Sequence, residues 1–160
     1  MKIVTHLVRV TPAIQLAKLS GFSPIITTAS LKHEAFLKTL GATHVIDRNT
    51  PATTLAGKVV GITNKPLDVV FDSVSSAETQ KLSHDLTATG GTIVVVLPPQ
   101  VDAAQGKEFV NAFGTFKYPH TRPLGERLYS HLTQLIEDGH IKVRFFPPRC
   151  DYIRKTAFST

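Results

Sequence analysis

Four side chains suited to holding an anion follow two short β-branched runs. Ser30, Lys32 and His33 come after Ile25-Ile26-Thr27-Thr28-Ala29, and Arg48 comes after His44-Val45-Ile46. Hydroxyl and cationic groups in that setting stabilise a phosphate, which a carboxylate there would repel. The same residues have a plainer account, in which Ser30 caps the next helix with help from Glu34 while Lys32 and His33 stand in solvent. A second candidate group closes a later apolar run: Ser73 and Val74 end LDVVFDSV. Open parallel sheets bind ligands outside the carboxyl ends of their strands, so these positions are candidate contacts for one ligand.

Other chemistries find little support in the residue patterns. The His residues are dispersed without an H-E-x-x-H arrangement, and Ser73 and Ser75 lack the G-x-S-x-G setting of a nucleophile elbow. Cys150 is the only cysteine, which rules out an internal disulfide or a multi-cysteine zinc site within one copy of the chain. Gly57-x-x-x-Gly61-x-Thr63 is a poor phosphate loop because no strand leads into it. Phe109, Phe113, Phe116 and Tyr118 could line a box for a ring-shaped ligand, or pack a loose segment onto the sheet edge or a partner subunit. No catalytic acid, base or metal ligand is assigned.

The elements that must position these residues alternate between two periods. Ala13, Ile14, Leu16, Ala17 and Leu19 suggest one flank of a short helix, with Thr11 as its cap, Pro12 in its first turn and Gly21 past its end. The run 25–29 is too short for a helix and suits a strand buried on both faces. A second helix over 31–40 pairs Leu31 with Ala35 and Phe36 with Leu40, and Gly41 closes it. A third is expected from Pro51 to Gly61 with Leu55, Val59 and Ile62 on one face and Gly57 and Gly61 packing or ending it. Then come a strand at 67–74, a helix over 77–89, Gly90-Gly91 as a turn and a strand at 92–97. Residues 107–113 read as an amphipathic fragment. The clearest amphipathic helix spans 121–138, with Leu124, Leu128, Leu132, Leu135 and Ile136 sharing a face and Gly139 as its stop. The expected fold class is α/β, a doubly wound parallel sheet of about five strands in the order 3-2-1-4-5, built from right-handed crossovers.

Length and composition agree with one domain. The chain has 160 residues, is 42% hydrophobic and carries a formal charge of +6. Its basic residues are scattered, whereas a nucleic-acid site would gather them into a patch. Its longest apolar stretches fall far short of the ~20 residues a membrane-spanning helix needs, and the N-terminus lacks the pattern of a signal peptide. The expected setting is cytoplasmic, with neither membrane nor nucleic acid as a partner.

The wording of several stretches adds to the pattern. AIQLAKLSG and LKTLGATHVIDR within residues 13–48, then DVVFDSV, GGTIVVVLP and LGERLYSHLTQLIEDGHIK, resemble the cofactor domain of medium-chain dehydrogenase/reductases. The similarity is greatest to the zinc-independent quinone-reductase and enoyl-reductase branch, including fungal trans-acting enoyl reductases, and extends to about Phe146. The resemblance implies a Rossmann-like NADP-binding domain over 1–146 and a divergent tail over 147–160. It implies NADPH as cofactor, with Ser30, Lys32, His33 and Arg48 toward its 2′-phosphate and Val96 and Leu97 beside its nicotinamide. Hydride transfer to a quinone or an α,β-unsaturated carbonyl or enoyl substrate is the activity implied. A homodimer formed through the edge of the fifth strand follows from the same likeness.

The chain also departs from that pattern. No glycine precedes Gly21, and Val8-Arg9-Val10 occupy the place of the glycine-rich phosphate loop. The sixth strand is not evident in Arg149–Thr160, and the family's N-terminal catalytic domain has no counterpart here. A chain truncated at both ends, weak or inactive alone, is therefore expected. The alternative is a non-catalytic relic serving as an interaction or subunit-pairing module.

Overall fold

The computed structural model describes residues 3–6 as backbone, and residues 11–102, 106–112 and 114–142 with their side chains. The expectations for Val8-Arg9-Val10, Phe113, Cys150 and the tail from 147 lie outside them.

Six parallel strands form one sheet. They are β1 (Ile3–His6), β2 (Ile25–Ala29), β3 (His44–Asp47), β4 (Leu67–Asp72), β5 (Thr87–Val95) and β6 (Glu108–Asn111), in the spatial order β3-β2-β1-β4-β5-β6. The strand order reverses between β1 and β4, whose ends meet where His6 is opposite Asp72. Five α-helices complete the described fold: α1 (Thr11–Leu19), α2 (Glu34–Leu40), α3 (Ala52–Thr63), α4 (Ala77–Leu86) and α5 (Arg122–Glu137).

Strand alternation divides the core between the two faces of the sheet. Ile25 and Ala29 of β2 join Ile14 and Ala17 of α1 and Leu37 and Leu40 of α2. Ile26 points the other way, into a cluster with Leu55 and Val59 of α3 and Leu67, Val70 and Leu86. Every residue of β2 is buried, as a parallel strand covered on both faces requires.

Several local expectations change. The segment 107–113, read as an amphipathic fragment, supplies β6, because Lys107 donates to the His84 carbonyl at the end of α4 (2.7 Å) and Phe109 stacks on His84. The sheet thus has six strands rather than about five. β6 also covers the edge of β5 through which a homodimer was expected, so the outer edge belongs to β6.

The fifth strand begins at Thr87 rather than residue 92, and α4 is correspondingly shorter. Leu67 pairs with Thr87 but Val69 with Thr92, a bulge that accommodates the extra residues. Gly91 sits inside it, where a Cβ would come 2.9 Å from the Asp68 carbonyl oxygen. Gly57 and Gly61 neither pack closely nor end α3, whose cap is Asn64 in the left-handed conformation.

On α1 the expected apolar flank is rearranged. Ile14, Gln15 and Ala17 are buried, while Leu16 and Leu19 are exposed. Gln15 is drawn in by Lys142, whose N–H donates to its Oε1 at 2.6 Å. Thr11 is the first helical residue of α1 and not a residue before it. The α5 helix forms as expected, yet Gly125, set against the Phe116 ring, is its buried residue, and Leu124 and Ile136 are exposed.

Candidate functional site

The candidate site is the carboxyl rim of the sheet. Parallel strands end there together and the following helices begin there, so backbone N–H groups and loop side chains converge on one edge.

At one end of the rim lie β2 and β3. Arg48 N–H donates to the Ala29 carbonyl at 3.0 Å, which sets Arg48 beside the chain leading into Ser30. Residues 31–33 form a 3₁₀ turn, closed by His33 N–H on the Ser30 carbonyl at 2.9 Å. Ser30 has the extended backbone of an N-cap, but its hydroxyl makes no cap hydrogen bond. The plainer account of Ser30 as a side-chain cap therefore fails, because the 3₁₀ turn separates it from α2, which starts at Glu34.

The carboxyl groups of the turn and of the β3 end have other partners, while that of Glu78 lines a cleft with Arg48. Glu34 turns back onto Lys38 at 2.8 Å, and Asp47 accepts the Asn49 N–H at 2.9 Å. What faces solvent is a hydroxyl with nitrogen donors, Lys32 and Arg48 being exposed and Ser30 and His33 half-buried. This donor set suits a phosphate.

At the other end lie β4 and β5. Val74, Val96 and Leu97 project apolar surface at 42%, 38% and 48% exposure, unusual for residues at the ends of buried strands. Beneath them Asp72, Ser75 and Gln80 are all 0% exposed and joined by hydrogen bonds. Asp72 Oδ1 accepts the N–H groups of Val74 (3.0 Å) and Ser75 (2.8 Å), and Oδ2 accepts Thr79 Oγ1 (2.6 Å). Ser75 Oγ donates to the Asp72 carbonyl (2.7 Å) and accepts the Val96 N–H (2.9 Å). Gln80 Nε2 donates to the carbonyls of Ser75 and Pro98, each at 3.1 Å, while its Oε1 accepts the Gln100 N–H at 2.7 Å.

A cleft of about 190 Å³ opens beside Arg48, lined by Arg48 and Thr50 after β3 and by Glu78 and Thr79 at the start of α4. Larger clefts lie on the outer edge of β3, about 340 Å³, and between α1, α2 and the end of α5, about 370 Å³. Neither contains the candidate residues, so position at the strand ends decides here and volume does not. From β2 to β5 is three strand spacings, about 14 Å, enough for an elongated ligand with different chemistry at its two ends. Two further buried polar atoms, Thr28 Oγ1 in β2 and Asn111 Oδ1 at the end of β6, have no hydrogen-bond partner among the described residues.

The structure thus gathers Ser30, Lys32, His33 and Arg48 into one group and Ser73, Val74, Val96 and Leu97 into another. Among the described residues the aromatic side chains proposed as a box turn to other partners: Phe109 stacks on His84, Phe116 meets Tyr129 edge-on, and Tyr118 stacks on His120. Sequence reasoning missed Gln80 and assigned Ser75 no role. The recoverable signal was Asp72 at a strand end followed by Ser75, Ser76 and Thr79. Gln80 carried none, since a polar residue in a polar helix predicts exposure. Among the described residues no three His, Cys, Asp or Glu side chains come together to hold a metal ion, and no helix is long and apolar enough to cross a membrane.

The geometry is that of a dinucleotide-type α/β sheet, and comparison with known proteins narrows it. Residues 11–113 match the family model described as zinc-binding dehydrogenase. Among curated relatives, a dual trans-enoyl reductase/FAD-dependent monooxygenase of Aspergillus terreus is 32% identical over 152 residues, 86% of this chain and 21% of the relative. A trans-enoyl reductase of Trichoderma harzianum is 34% identical over 98 residues, 61% of this chain and 26% of the relative. The chain therefore spans about a quarter or less of these relatives. A mycobacterial protein solved in complex with NADPH has the same fold, with a TM-score of 0.72 at 24% identity, covering 89% of this chain and 47% of the other. The chain belongs to the zinc-binding dehydrogenase family, within the medium-chain dehydrogenase/reductase superfamily.

Proposed function

We propose that this chain is the cofactor-binding portion of a cytoplasmic NADPH-dependent oxidoreductase that reduces an enoyl, α,β-unsaturated carbonyl or quinone substrate, with residues 1–146 as the binding unit. The observation that carries it is the turn at 30–33 beside Arg48, where hydroxyl and cationic groups face solvent and the carboxyl groups of Glu34 and Asp47 are engaged by Lys38 and Asn49. A ribose bearing a 2′-phosphate gains attraction there, whereas a ribose with two free hydroxyls meets hydroxyl and cationic groups at 30–33 in place of the usual carboxylate. The trans-enoyl reductase relatives support the reaction class.

When bound, the nicotinamide supplies the hydride. The chain's own residues bind and orient: Ser30, Lys32, His33 and Arg48 hold the phosphate end, and Ser73, Val74, Val96 and Leu97 border the ring end. Turnover by the chain alone is expected to be weak or absent, since orienting donor and acceptor accounts for ~7–11 kcal/mol of barrier lowering and a second wall of the substrate cleft is required. Calorimetric titration with NADPH and NADH tests the cofactor, and NADPH oxidation with enoyl and quinone acceptors tests the reaction. Tighter NADH than NADPH binding would exclude the assignment.

The alternative, a non-catalytic interaction or subunit-pairing module, draws on one observation, the exposed apolar surface of Leu124 and Ile136 on α5. A monomeric mass by light scattering across the working concentration range would count against self-pairing.

A further inference from the structure

Ser75 in the turn between β4 and α4 and Gln80 in the first part of α4 are buried polar residues, and neither reaches the surface that a ligand could touch. Their hydrogen bonds nevertheless converge on one exposed segment. Ser75 Oγ accepts from Val96 N–H, and Gln80 grips the chain on both sides of Pro99 through the Pro98 carbonyl and the Gln100 N–H. Residues 96–100 have left the β5–β6 ladder, which ends at Val95 and Asn111. Ladder hydrogen bonds do not define their path, and two side chains from the β4–α4 region do.

Ser75 holds a left-handed backbone, φ 56°, a conformation that a residue with a Cβ adopts at some cost. Glycine would take it freely, but would lack the hydroxyl that joins Asp72 to Val96. Retaining serine in a turn that favours glycine makes sense if that link matters more than local strain. Asp72, held by three donors, anchors the turn from below.

We propose that Ser75 and Gln80 are positioning residues that fix residues 96–98 as the wall against which the nicotinamide half of the dinucleotide lies. This rests on the cofactor assignment above. An exposed apolar wall, Val96 and Leu97, improves ring packing only if it is already in place, because ordering it on binding would subtract from affinity. The polar layer beneath therefore acts on the ligand through the backbone of residues 96–100.

The test compares two ligands that share the adenosine end and differ at the other: NADPH, and 2′-phospho-ADP-ribose, which lacks the nicotinamide ring. Affinities are measured by calorimetry on the full chain and on Ser75→Gly and Gln80→Ala. Ser75→Gly keeps a residue suited to positive φ, so it remains informative should Gln80→Ala fail to fold, and a thermal melt verifies folding. The expected result is about a tenfold loss of NADPH affinity in each folded variant, with 2′-phospho-ADP-ribose changed by less than about twofold. Equal losses for the two ligands in a folded variant, or unchanged NADPH affinity in Ser75→Gly, overturn the positioning role while leaving the cofactor assignment intact. Failure of the unsubstituted chain to bind either ligand overturns both.

Discussion

Around Ser30 the chain leaves ionisable groups in solvent on a short turn, whereas around Asp72 it buries polar groups and gives their oxygens and nitrogens several partners. Lys32 and Arg48 are exposed, while Asp72, Ser75 and Gln80 are fully buried. An exposed cation contributes little to folding because water screens it, and remains available to a phosphate. A buried carboxyl or amide is costly unless hydrogen-bonded, so its partners fix the backbone around it. On the proposed reading, one end of the rim supplies charge selectivity at little structural cost. The other supplies shape, and it is shape that substitution there puts at risk.

The contrast predicts a ranking of effects. Asp72→Ala should be the most damaging, costing about 3 kcal/mol by leaving the Val74 and Ser75 N–H groups and the Thr79 hydroxyl without their acceptor. Urea unfolding measures it, and a loss below ~1 kcal/mol would show that the turn does not depend on that carboxyl group. Next is Gly91→Ala, where the new methyl meets the Asp68 and Ala88 carbonyls at 2.9 and 3.0 Å, backbone atoms that cannot step aside. About 2 kcal/mol is expected from such overpacking, read as a fall in the melting temperature.

Gln15→Ala offers a milder version of the same experiment. Gln15 grips Lys142 as Gln80 grips residues 98 and 100, but it binds one residue of the segment after α5, with bonds of 2.6 and 3.4 Å. A loss of about 1 kcal/mol is expected. An effect matching that of Asp72→Ala would break the distinction between a clasp and an anchor.

The smallest effect belongs to the charged turn. Lys32→Glu should leave the urea midpoint unchanged and weaken NADPH several-fold more than NADH, since an exposed pair is worth at most ~1 kcal/mol. Raising the salt concentration should shrink the difference. Equal losses for both cofactors would remove Lys32 from the phosphate end.

Taken alone, the sequence determined the class of fold and the members of the rim, because both follow from short-range periodicity. β-Branched runs of four to six residues alternating with amphipathic helices leave few arrangements, and the right-handed crossover rule selects among them. The candidates after β2, β3, β4 and β5 were legible for the same reason: a strand end is a local event, and a parallel sheet gathers all such ends on one edge. Tertiary structure alone decided the rest. Glu108–Asn111 became a strand because Lys107 and Phe109 found His84, more than twenty residues away in the chain. Gln15 and Gln80 went inside, while Leu16 and Leu19 stayed out, because distant backbone groups needed those amides. Hydropathy assigns a side chain by its own preference for water. A buried amide is placed by its partners, and partners distant in sequence are brought within reach only by the fold.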